Sequence, residues 1–86
     1  MKNLSSLRAE INQIDKNILN LISKRIRLAS KIGLYKKSSK LPVQDKKREQ
    51  EILANLLKNG KKYNLSPSLI KSTWDLLFKE SYKKEK

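Results

Sequence analysis

The stretch LSSLRAEINQIDKNILNLISKRIRLASKIGLYK, residues 4–36, decides the fold. It holds no proline and, before Gly33, no glycine. Leu4, Leu7, Ile11, Ile14, Ile18, Leu21, Leu28 and Ile32 recur at spacings of three and four, which lays a single apolar stripe along one long helix. One position interrupts that stripe. Arg25 stands between Leu21 and Leu28, where the repeat calls for an apolar side chain. A guanidinium on a packing seam is costly unless something anionic meets it there, so Arg25 is the first candidate functional residue.

Helix geometry extends the argument. With a rise of about 1.5 Å per residue, Arg8 and Arg25 lie roughly 25 Å apart along the axis, whereas Arg25 and Lys36 are about 16 Å apart and can converge through their long side chains. Arg8 therefore cannot join the cluster on its own chain. An antiparallel partner helix would bring a second copy of Arg8 to Arg25 and Lys36, giving two equivalent composite sites in a two-fold homodimer.

Composition limits the chemistry. At 86 residues the chain is one small domain, 1–86, near the size at which oligomerisation commonly supplies burial that a lone core lacks. It contains no cysteine and no histidine, which removes disulfides, thiolate ligands and the commonest acid/base group, so neither a metal nor a cofactor is expected. With no apolar run of membrane-spanning length and no signal-peptide pattern at Met1-Lys2-Asn3, the expected setting is cytoplasmic, away from the membrane. The net charge of +13 raises nucleic acid as a partner. Many of the lysines, however, are dispersed over solvent-facing positions (Lys16, Lys24, Lys46, Lys58, Lys61, Lys62 and Lys71) or fall in the terminal run Lys83-Lys84-Glu85-Lys86. That distribution favours solubility over a nucleic-acid face, and its field would draw in a small dianion.

The expected architecture is all-α, three helices per protomer, one long and two short, over about 5–37, 46–59 and 67–83. Ser5 or Ser6 is the expected cap of the first helix. Pro42 disfavours helical geometry at Leu41 and closes a polar connector. Asp45 is placed to cap the second helix, whose buried face is Ile52, Leu53, Leu56 and Leu57, and Gly60 is expected to end it in the left-handed conformation. Ser66 as cap, Pro67 at the first helical position and Leu65 stapled onto Ile70 start the third helix. Its stripe of Ile70, Trp74 and Leu77 continues into the polar pair Ser81 and Glu85.

On their own, Asp45, Arg48 and Glu49 read as ordinary residues of a helix start. Their context changes this. Leu7-Arg8, Ile14-Asp15, Arg25, Gly33, Lys36, Pro42-Val43, Asp45, Arg48-Glu49 and Ser81, in this order and spacing, resemble the all-helical class of chorismate mutases from about Leu7 to Glu85. The resemblance implies an intertwined helical homodimer and an isomerase that rearranges chorismate to prephenate, in phenylalanine and tyrosine biosynthesis, by a unimolecular pericyclic shift. It further implies that Arg25 and the partner chain's Arg8 grip the two carboxylates, and that Lys36 donates to the ether oxygen as the C–O bond breaks. Glu49 and the backbone near Asp45 would hold the ring hydroxyl, Arg48 would support the loop and the acidic pair, and Ser81 would bind a carboxylate. Ile32, Ile52 and Phe78 serve either as walls or as ordinary core.

Glu85 departs from the pattern. Many bacterial members have glutamine there as a second donor to the ether oxygen, and some fungal members have glutamate. An ionised carboxylate would repel that oxygen, so either Glu85 works protonated, or it is a frayed terminal residue and Lys36 acts alone. Two other readings rank behind the mutase. Isochorismate-pyruvate lyase would use the same scaffold and a similar basic pocket, and a basic helical nucleic-acid-binding dimer would use the exposed lysines.

Overall fold

The computed structural model of the protein describes residues 3–42 and 45–85, with the backbone alone at position 85. Three α-helices follow one another, α1 (Leu4–Ser38), α2 (Lys46–Gly60) and α3 (Pro67–Glu85), with a short 3-10 turn over Lys61–Tyr63 after α2. The described residues contain no strand.

Asn3, rather than Ser5 or Ser6, caps α1: its side-chain oxygen accepts from the Ser6 N–H at 2.8 Å. Placed one residue before the helix, Asn3 reaches the third helical N–H, which a serine already inside the first turn cannot do. At the other end the Leu41 N–H donates to the Lys36 carbonyl at 2.8 Å and the Lys40 N–H to that of Lys37 at 3.3 Å. With Lys40 at φ 57°, this is a Schellman stop built on a non-glycine residue.

Gly60 does not act as the left-handed terminator. It is right-handed at φ −59°, and the chain winds on through the 3-10 turn to Asn64 at φ 58°. There the Leu65 N–H donates to the Gly60 carbonyl at 3.0 Å and the Asn64 N–H to that of Lys61 at 3.4 Å, the same stop as at Lys40. Glycine at position 60 leaves room for the end of Ile70: a Cβ there would overlap Ile70 Cδ1 and oblige that side chain to shift. Ser66 caps α3, its Oγ accepting from the Leu69 N–H at 3.1 Å.

Packing is confined to one end of α1. Ala29 and Gly33, four residues apart, are its buried positions and let α3 lie close, with Ile70, Phe78 and Ser81 buried on the α3 side. From Asn3 to Lys24 every residue of α1 is exposed. The stripe is bare along its whole length, from Leu7 at 47% to Leu21 at 62% exposure. The principal dimensions, 57 × 24 × 15 Å, are those of a rod with two short helices folded against one end.

Candidate active site

A cavity of about 400 Å³ opens where the C-terminal half of α1, the start of α2 and the end of α3 meet. Each helix contributes a different chemistry. From α1 come Arg25 and Lys36, with Leu28, Ala29 and Ile32 between them. These positions step by three and four residues and so face one way. The beginning of α2 supplies Asp45, Arg48, Glu49 and Ile52, and the end of α3 supplies Phe78, Ser81 and Tyr82. Three cations thus face the cavity against two carboxylates, which suits an anionic ligand.

Arg25 is held at two points. It is half-buried, its Nη1 donates to Ser81 Oγ at 2.9 Å, and its Cζ lies 5.7 Å from the centroid of the Phe78 ring. Ser81 is itself 6% exposed, so this hydrogen bond sits in a weakly screened place. No carboxylate among the described residues forms an ion pair with Arg25. Lys36 is half-buried about three turns along the same helix, where the Schellman stop takes up its carbonyl.

The α2 residues have helix-start duties as well. Asp45 caps α2, its Oδ1 accepting from the Arg48 N–H at 3.0 Å. The Arg48 side chain pairs within its own helix. Its Nη1 pairs with Glu51 Oε2 at 3.3 Å, because a residue three positions along lies on the same face, and both side chains are more than half exposed. Glu49, in the first turn, is half-buried at the cavity edge.

Arg25, Lys36, Asp45, Arg48, Glu49 and Ser81 are therefore brought to one cavity, along with the expected walls Ile32, Ile52 and Phe78. Arg8 is not among them: it is exposed near the far end of α1. Val43 and the Glu85 side chain lie outside the described residues. The sequence reading missed Leu28, Ala29 and Tyr82. The first two were legible as the i+3 and i+4 neighbours of Arg25, and Tyr82 as the i+4 neighbour of Phe78. Among the described residues no acidic cluster has the make-up of a metal site, and no helix is long and apolar enough to cross a membrane.

Comparison with known proteins places this arrangement. The family profile described as Chorismate mutase type II matches residues 7–86, all of the three-helix unit but the first residues of α1. The bifunctional chorismate mutase/prephenate dehydratase of Buchnera aphidicola from Schizaphis graminum is 41% identical over 78 residues, covering 91% of this chain and 20% of that protein. The T-protein of Enterobacter agglomerans is 33% identical over 82 residues, 95% of this chain and 22% of its own. The bifunctional chorismate mutase/prephenate dehydratase of Escherichia coli K12 is 33% identical over 78 residues, 91% of this chain and 20% of its own. The chain thus spans about a fifth of the length of these curated relatives. With a three-helix fold, a basic cavity at the helix junction and a family match over almost its whole length, the chain belongs to the chorismate mutase type II family.

Proposed function

We propose that the chain is a chorismate mutase that isomerises chorismate to prephenate in the cytoplasm, on the route to phenylalanine and tyrosine, and that it works as a homodimer. Arg25 carries the reading: a charged guanidinium, tied to Ser81, lines a cavity without a carboxylate partner among the described residues. The dianionic substrate supplies the missing countercharge. The rearrangement breaks the ether C–O bond and forms a C–C bond within one molecule, so it needs neither nucleophile nor obligatory proton transfer. A chain without cysteine or histidine is suited to it.

The physical task is to hold a flexible dianion in its compact reactive shape and to stabilise the charge that develops on the ether oxygen. In this reading Arg25 and the partner's Arg8 fork onto the two carboxylates, and Ser81 both anchors Arg25 and faces the same carboxylate. Lys36 donates to the ether oxygen. Glu49 and the backbone at Asp45 take the ring hydroxyl, with Glu85 as a second, protonated donor beside Lys36.

The bare stripe of α1 supports the dimer. An exposed apolar face of this length on a charged chain needs a cover, and a second copy offers the same stripe in reverse.

The test is a spectrophotometric assay of the purified chain with chorismate, following loss of its diene absorbance and acidifying the product to reveal phenylpyruvate derived from prephenate. Turnover that Arg25→Ala lowers by about a hundredfold or more is expected, as for the loss of a principal transition-state donor. No turnover with chorismate, and pyruvate released from isochorismate instead, would replace this reading with the lyase.

A further inference from the structure

Arg25 is fastened to α3 at two points one turn apart, and only one of them is a hydrogen bond. Ser81 Oγ accepts from Nη1 at 2.9 Å, and the Phe78 ring takes the guanidinium at 5.7 Å from Cζ to centroid. Phe78 and Ser81, three positions apart, share a face of α3, and each is 6% exposed. A ring face attracts a cation through its quadrupole, and more strongly where water is excluded. It does so without accepting an N–H. A carboxylate in the same place would neutralise Arg25 and occupy a pair of its donors. The ring leaves the charge intact and the remaining donors unspent.

We infer that Phe78 is a positioning residue: its ring holds the Arg25 guanidinium in the orientation in which the cavity receives an anion. An aliphatic side chain of similar bulk would preserve the wall but let the arginine sample other rotamers, and the substrate would then bear the cost of ordering it. The catalytic consequence rests on the proposed mutase function. The seating of Arg25 on the ring does not.

The test is a double-mutant cycle on the full chain at fixed protein concentration, using Phe78→Leu, Arg25→Gln and their combination, with Phe78→Tyr as the ring-retaining control. Urea unfolding without substrate reads the seating alone. Phe78→Leu is expected to change the unfolding constant about three- to tenfold more with Arg25 in place than in the Arg25→Gln background, because only the former carries the cation–ring contact. Assayed with chorismate, Phe78→Leu should lower kcat/KM about tenfold, chiefly through KM, with Phe78→Tyr, which keeps the ring, losing several-fold less. Should Phe78→Leu not fold, Phe78→Met enters the same cycle, filling the space without a ring face.

Equal effects of Phe78→Leu in both backgrounds would overturn the inference and reduce Phe78 to core. So would Phe78→Tyr and Phe78→Leu losing activity alike. A parent chain inactive on chorismate would instead remove the proposed function and the catalytic half of this inference, while the unfolding cycle still decided whether the ring holds the guanidinium.

Discussion

A cation on an apolar stripe is tolerated only with compensation, and at Arg25 the compensation comes from α3. Ser81 is otherwise a poor choice for a buried position on a helix face that carries Ile70 and Phe78. Its hydroxyl is there as the acceptor for Arg25 Nη1. Ser81→Ala should therefore leave the fold in place and lower kcat/KM by about tenfold or more, since a hydrogen bond to a charged group contributes about 1.5–3 kcal/mol. The assay with chorismate checks it, beside a circular-dichroism spectrum unchanged from the parent. Position 85 carries a second residue-scale prediction. A carboxyl that donates to the ether oxygen works only when protonated, so activity should fall as pH rises through its titration, and Glu85→Gln, a donor at every pH, should flatten the profile. A profile unchanged by Glu85→Gln would leave Lys36 as the sole donor.

At the scale of the elements, helix stops fix where the site residues sit. Lys40 ends α1 in the left-handed region at φ 57°, which a side chain disfavours and glycine does not. Lys40→Gly should accordingly raise stability by about 0.5–1 kcal/mol, read from urea unfolding, without moving Lys36. Gly60→Ala should have the opposite sign, lowering stability by about 1–3 kcal/mol, because the added methyl meets Ile70 Cδ1 in a packed place.

These two positions also show what the sequence could and could not disclose. The three helices and the caps at Asp45 and Ser66 were legible, because periodicity and cap chemistry are local. Gly60 was legible as a helix-end residue but misread in mechanism: its contact with Ile70 crosses between helices, and no local pattern reports it. The Schellman stop at Lys40 was hidden for the opposite reason, since lysine is not a residue that signals the left-handed region. In the cavity, Arg25 announced itself by breaking the stripe, whereas the pairing of Arg48 with Glu51 is a rotamer choice that spacing leaves open.

The whole molecule is expanded for its length. Its radius of gyration is 16.3 Å, where a compact chain of this size has about 12 Å. It exposes 7379 Å² where a monomer of its mass exposes about 5200 Å². The surplus, roughly 2200 Å², is of the size that one protomer of the proposed homodimer would bury, and the bare stripe of α1 contributes to it. Ile14→Lys, in the middle of that stripe, should convert a species of about twice the 10.0 kDa chain mass into monomer in sedimentation analysis and abolish activity with it.

In the proposed homodimer each site is built from two chains, Arg25 of one and Arg8 of the other. The measurement that tests it most directly mixes inactive Arg8→Ala protomers with inactive Arg25→Ala protomers, unfolds and refolds them together, and assays chorismate turnover with mixed dimers confirmed by native mass spectrometry. Half of a random mixture is heterodimer with one of its two sites intact, so recovery of about a quarter of the parent activity is expected. No recovery in the presence of confirmed mixed dimers would contradict it, because Arg8 would then act within its own chain or not at all.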